Sequence, residues 1–275
     1  MRNIKLTLAY DGTDFSGWQI QPGQSTVQGY LNDVAEKVTQ SQVTMQGAGR
    51  TDARVHASGQ VANFKTESEM SPEEFQRAFN ALLPASIRVM AAEEAGLDFH
   101  SRWSALAKTY RYRIFRGRVV PPSHWRYVQH DPFPLDFDAM AEAARKFEGE
   151  HDFTSFAAST GSEEDDRERL VVRTIYRSEF LRIPSDNATG SDEEWVYVVR
   201  GKSFLRYMVR KMVGTIVEVG RCRLRPGDIP AIFALRDRSK SGPTMPPHGL
   251  CLVEVEYPEV GNSPGKRDTP APEIL

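Results

Sequence analysis

At 275 residues, with 40% hydrophobic and 26% charged side chains, the chain has the composition of a globular protein with a real core and roughly two domains. No apolar run reaches the ~18–20 residues needed to span a bilayer, and the start MRNIKLTLAY lacks the apolar stretch of a signal peptide. The formal net charge of −2 excludes a uniformly basic surface but not a basic face. Seven Lys/Arg and no Asp/Glu lie between His100 and His130, and eight Lys/Arg face the single acid Glu218 between Arg200 and Arg225. The balancing acids gather in GSEEDDRER and GSDEEW. The two cysteines, Cys222 and Cys251, lack metal-ligand spacing and read as reduced thiols of a cytoplasmic protein.

In chain order, IKLTLAYDG reads as a strand entering a turn. The Gly-, Gln- and Trp-rich YDGTDFSGWQIQPGQSTVQG is a long loop, a kind of segment that often carries function. STVQGYLNDVAEKVTQ follows as a helix: Ser25 and Gln28 fit a capping box, and Val27, Tyr30, Leu31, Val34, Ala35 and Val38 share a face. QVANFKT is a strand. SPEEFQRAFNALLP is a second helix, with Ser71 as cap, Pro72 at its first position and Glu74 three after the cap. Its apolar stripe is Phe75, Ala78, Phe79 and Leu82. SIRVMAAEEA and ALAKTYRYRIFRG are strands.

The second half repeats the mixture. LDFDAMAEAARKFEG is a helix, and VVRTIYRSEFLRI and EWVYVVRG are strands around a polar, disordered loop from Ser185 to Glu194. SFLRYMVRKMVGTIVEVG is a long, mostly buried helix, GDIPAIFALRD a short one, and LCLVEVEY a closing strand. Without strict βαβ alternation the class is α+β. The two halves look like similar units with a break near Arg102–Leu106. The expected organisation is an N-terminal α+β domain over 1–104, a C-terminal one over 105–260 and a disordered tail over 261–275.

QGAGRTDARVHASGQVANF, Gln46 to Phe64, places one acid, Asp52, between Arg50 and Arg54 on a glycine-rich turn. It lacks the Gly-Lys-Ser/Thr and following helix of a P-loop. Asp52 and His56 have no second acid or histidine nearby to complete a metal site, and His56 reads as a structural hydrogen-bonding histidine. A salt bridge from Asp52 to Arg50 that merely holds the turn and a catalytic carboxylate remain equally open on these residues alone.

Two further segments supply possible partners. KTYRYRIFRGR alternates, with Tyr110, Tyr112 and Ile114 on one face and Arg111, Arg113 and Phe115 on the other. One face could meet a flat ring and the other phosphates, or the tyrosines could simply be core. In SFLRYMVRKMVG, Arg206 and Arg210 fall four apart on a helix otherwise filled by Leu205, Met208, Val209, Met212 and Ile216. An arginine so placed needs a counter-charge, Asp52 among the candidates, or must reach the surface.

Taken together, these segments resemble the bacterial tRNA pseudouridine synthase A family. The resemblance is carried by YDGTDFSGWQIQP…TVQGYL, GAGRTDARVHASGQVANF, FHSRWSALAKTYRYRIF, DFTSFAAS, VRTIYRSEF, SFLRYMVRKMVGTIVEVG and PPHGLCLVEVEY, in that order, over about residues 3 to 258. It implies two similar α+β domains, each a mainly antiparallel sheet flanked by helices, with the active-site cleft between them. It implies isomerisation of uridine to pseudouridine at positions 38, 39 and 40 of the tRNA anticodon stem-loop, without metal or cofactor, by a homodimer. Asp52 then matches the catalytic aspartate and Tyr110 the tyrosine that lies against the uracil. Arg210 matches the basic partner of the aspartate, and Arg50 an RNA-contacting arginine. Arg54 departs from the family, many of whose members have glycine there, and would be strained if that position requires a positive φ.

Overall fold

The structure, a computed structural model, describes residues 1–158, 171–184 and 193–258. The acidic insertion at 161–169, most of the polar loop after residue 184 and the tail at 261–275 lie outside the described residues. The elements are β1 (Arg2–Tyr10), α1 (Val27–Thr39), β2 (Gln46–Gly47), β3 (His56–Thr66), α2 (Pro72–Leu82), β4 (Ile87–Ala95), β5 (Ala107–Phe115), β6 (Gln129–His130), α3 (Phe137–Arg145), β7 (Gly149–Asp152), β8 (Val172–Pro184), β9 (Glu193–Gly201), α4 (Met208–Gly220), α5 (Ile229–Leu235) and β10 (Leu250–Glu256).

The fold is α+β and mainly antiparallel, as its unalternated string of strands implies. The first half forms the antiparallel set β4-β1-β3, and the second the set β5-β9-β8-β7. The last strand, β10, enters between them, antiparallel to β5 and parallel to β3 through the pairs Cys251↔His56 and Leu252↔Ala57. The two sets thereby join into one ten-stranded sheet. A single apolar cluster, from Ile4 and Leu6 to Leu252 and Val255, runs under both halves. The alternation of β5 holds: Tyr110, Tyr112 and Ile114 are buried on the face shared with Val199, Tyr197 and Trp195 of β9, while Arg111 and Arg113 are half-buried on the other.

Three local expectations need correction. The cap of α1 is Thr26, not Ser25, with its hydroxyl accepting from Gly29 N. Gln28 forms no capping box because its amide is spent elsewhere: it donates to Met45 O and accepts from Ile20 N and Gln19 Nε2. Leu82 is exposed and Leu83 takes the buried position at the end of α2, although the Ser71–Glu74 capping box forms as expected. The long second-half helix starts at Met208 rather than Ser203, because Tyr207 is left-handed (φ 63). Arg206 therefore precedes the helix and does not share a helix face with Arg210.

Candidate active site

Loop 48–55 crosses the end of the first-half sheet, and side chains from three strands hold it from below. Lys108 Nζ of β5 donates to Ala48 O at 2.7 Å, Gln60 Nε2 of β3 to Gly49 O at 2.9 Å, and Tyr10 Oη of β1 meets Thr51 Oγ1 at 2.8 Å. The Gly- and Trp-rich loop after β1 closes over it. Trp18 N donates to Thr51 O and Arg54 N to Phe15 O. Gly12 lies so close that a Cβ there would meet Val55 O at 2.1 Å, which no side chain survives. The carboxylate of Asp52 is thus fixed through its backbone neighbours on both sides.

Its charge partner comes from the other half. Arg210 Nη1 lies 3.2 Å from Asp52 Oδ2, and both side chains are mostly buried. Arg210 is itself held: Nε donates to Met245 O at 2.6 Å, and the guanidinium lies 4.9 Å from the centre of the Tyr207 ring. The strand of chain carrying Met245 approaches α4 closely because Gly214 has no side chain, where a Cβ would meet Pro243 O at 1.8 Å. Tyr112 Oη donates to Pro246 O in the same segment. The ion pair of Asp52 is therefore with Arg210, across the two halves, and not with Arg50.

Burial holds the Asp52 pKa above the ordinary aspartate value; the charge and hydrogen bond of Arg210 and the charge of Arg206 pull it back without cancelling the shift. The simple expectation that an arginine partner leaves the carboxyl more acidic fails here because desolvation is the larger effect. Tyr110 is 7% exposed and close enough to Asp52 and Tyr10 that both charges add to the upward push of burial on its phenol. Its ring packs edge-on against Phe204 at 5.0 Å. Asp52, Arg210 and Tyr110, from a loop, a helix and a strand far apart in the chain, thus meet.

Arg50 and Arg54 are exposed and form no ion pair among the described residues. Arg54 adopts φ 65, the left-handed conformation that glycine takes without cost. His56 is structural: Nδ1 accepts from Gly12 N at 3.0 Å and Nε2 donates to Arg126 O at 2.9 Å. Both ring nitrogens are occupied, and burial lowers its pKa, so the ring is neutral at neutral pH. His100 is held differently, with Nδ1 accepting from Arg102 N. Among the described residues no three His, Cys, Asp or Glu converge as metal ligands.

Several contributors had no sequence signal strong enough to single them out. Lys108 is buried without a carboxylate partner among the described residues, and burial, then the charge of Arg102, lowers its pKa to about 8. Its position two before Tyr110 on one strand put it on the same face, the one clue available. Gln60 and Tyr10 read as ordinary strand residues. His248, whose pKa is lowered by burial and then by Arg54, His56 and Arg210, marks the cationic surroundings of the site.

Comparison with known proteins gives a consistent picture. The family model described as tRNA pseudouridine synthase matches residues 7–104 and 143–258. A protein of Solibacter usitatus called tRNA pseudouridine synthase A is 48% identical over 257 residues, 94% of this chain and 100% of that protein. One of the same name from Caldicellulosiruptor saccharolyticus is 44% identical over the same shares. The tRNA pseudouridine synthase A 1 of Desulfotalea psychrophila is 40% identical over 94% of this chain and all of its own length.

Proposed function

The chain belongs to the tRNA pseudouridine synthase family, and on that premise we propose that it isomerises uridine to pseudouridine at positions 38, 39 and 40 of the tRNA anticodon stem-loop, with Asp52 as its catalytic group. The observation that carries the assignment of Asp52 is its pairing with Arg210 beside the buried Tyr110, in a neighbourhood otherwise populated by cations.

The chemistry accounts for such a sparse site. Uracil leaves the ribose C1′ through N1, turns, and rejoins through C5; the C5 proton is then lost and N1 gains a proton by exchange with solvent. Atoms and oxidation states balance within the nucleotide, so no redox partner is required. One ionised carboxylate, acting on the ribose or on the ring, is enough. Arg210 orients the Asp52 carboxylate and favours its charged form against the pull of burial. Tyr110 offers an apolar face against which the uracil lies, and excludes water. The target must leave its stack at a cost of a few kcal/mol, offset by contacts of this kind. Arg50, exposed two residues before Asp52, contacts the RNA.

In this reading the substrate is tRNA, the enzyme works in the cytoplasm as a homodimer, and it needs neither metal nor cofactor. No helix among the described residues is long and apolar enough to cross a membrane. A metal-dependent hydrolase built on Asp52, His56 and His100 finds little support, because the ring nitrogens of His56 are already engaged. Mapping pseudouridine in bulk tRNA from cells lacking the protein tests the substrate assignment. Loss confined to positions 38, 39 and 40 supports it; an intact pattern there refutes it.

A further inference from the structure

Trp103 stands 71% exposed on the turn between β4 and β5, although an indole is costly to leave in water. The turn that presents it is rigid. Ser104 N donates to His100 O, His100 N to Ser104 Oγ, and Arg102 N to His100 Nδ1. It is also anchored at its base. Ser101 is fully buried, with N donating to Asn63 Oδ1 at 2.9 Å, Oγ to Gln46 O at 2.6 Å, and its carbonyl accepting from Tyr257 Oη at 2.6 Å. Gln46 opens the segment that leads to Asp52, so the indole is referenced to the same backbone as the catalytic loop.

One face of the ring is occupied: the Arg102 guanidinium lies 4.5 Å from the ring centre. The His100 ring lies 5.8 Å away, and two cations are placed at or near the indole: Arg102 over it, and Lys108 close to Arg102. Arg102, Lys108 and Arg50 form no ion pair with a carboxylate among the described residues, and no acid occurs between Phe99 and His130. Arg102 is close enough to Lys108 to depress its pKa, and Lys108 in turn sits on the carbonyl of Ala48. A preorganised aromatic ring, backed by an arginine and flanked by uncompensated cations, suits a ligand with flat rings and negative charge.

Resting on the function proposed above, we infer that Trp103, backed by Arg102, is a stacking platform for a second base of the tRNA, an unpaired nucleotide outside the catalytic pocket. The site fixes the RNA strand beside the nucleotide that enters against Tyr110. It contributes to binding rather than to the bond changes, so its loss raises Kd and KM and spares kcat.

The test uses the full-length protein and an unmodified tRNA transcript carrying uridine at positions 38 to 40. Trp103→Ala is expected to raise Kd about tenfold, the range of one lost base–aromatic stack, and to leave kcat at saturating tRNA within about twofold. Trp103→Phe, which keeps a ring, restores Kd to within about threefold of wild type. In a Trp125→Phe background, needed because Trp125 is also exposed while Trp18 and Trp195 are buried, Trp103→Phe also loses most of the tryptophan quenching that tRNA produces. Wild-type turnover combined with an unchanged Kd in Trp103→Ala overturns the platform alone. A Trp103→Ala protein that sediments as a smaller species than wild type also overturns it, by assigning the indole to a contact between protein chains. If the wild type forms no pseudouridine on this transcript, the parent reading falls and the platform with it.

Discussion

Asp52 titrates in two opposing fields. Burial favours its neutral form, while Arg210 and then Arg206 favour the carboxylate, and burial prevails. The folded state therefore keeps this proton to a higher pH than the unfolded chain. Ionising Asp52 costs folding free energy as pH rises from the ordinary aspartate range through the shifted pKa. A base that must be ionised then gives kcat/KM an acidic limb above the usual aspartate value. Removing the attraction in Arg210→Met raises the pKa further and moves that limb to higher pH, whatever happens to the maximum rate; an unmoved limb in the pH–rate profile would contradict the pairing. Arg54 makes a separate prediction. Its left-handed backbone costs an L-residue roughly 1–2 kcal/mol, and its exposed side chain forms no ion pair among the described residues to offset this. Arg54→Gly should stabilise the fold by about 1 kcal/mol, read as a higher urea midpoint at constant slope. At this scale the local patterns singled out Asp52, Tyr110 and Arg210 but left their structural readings open; the family resemblance supplied their expected roles, and the fold brings the three together. The sequence could not identify Lys108, Gln60 or Tyr10, whose contribution lies in which loop carbonyl or hydroxyl they reach.

Elements read well wherever a cap and a periodic stripe agree. α2 shows this, with Ser71, Glu74, Phe75 and Phe79 all as the pattern requires. They read poorly where a tertiary contact claims a residue that local rules assign elsewhere. Gln28 joins Met45 to the loop at Gln19 and Ile20 instead of capping α1, and Tyr207 turns left-handed to bring its ring over Arg210. The loop after β1 is the clearest case of an element defined by what it touches. Gly12 and Gly17 are required by backbone-to-backbone contact with the loop that carries Asp52, which no single-sequence pattern displays. Gly12→Ala should cost about 1–3 kcal/mol by overpacking and, by shifting Val55 and the loop before it, lower kcat at least about tenfold. Denaturation and single-turnover kinetics on the same preparation separate the two effects. A variant with wild-type kcat would show that the loop tolerates the displacement.

For the whole molecule, one late strand decides the architecture. β10 pairs with β3 of the first half and β5 of the second, so that residues 158 positions apart, Asp52 and Arg210, face each other. The break expected near Arg102–Leu106 rests on a change of pattern alone, and the return of β10 between the two sets of strands had no signal, because long-range pairing leaves no local mark on either partner. Charge follows the same logic: a net charge of −2 conceals cations collected around the site. Binding should therefore be strongly salt-dependent. Between about 50 and about 200 mM salt the KM for tRNA should rise at least ~tenfold with little change in kcat. A flat response would argue against an electrostatic RNA interface.

The central claim, that Asp52 performs the chemistry while the rest of the site binds and positions, is tested most directly by Asp52→Asn. This change preserves shape and removes the carboxylate. Its Kd for tRNA should stay within about threefold of wild type, because the RNA is held by other groups. Pseudouridine at positions 38, 39 and 40 should be undetectable under conditions where the wild type completes the reaction. A variant that still forms pseudouridine at a substantial fraction of the wild-type rate would contradict the account.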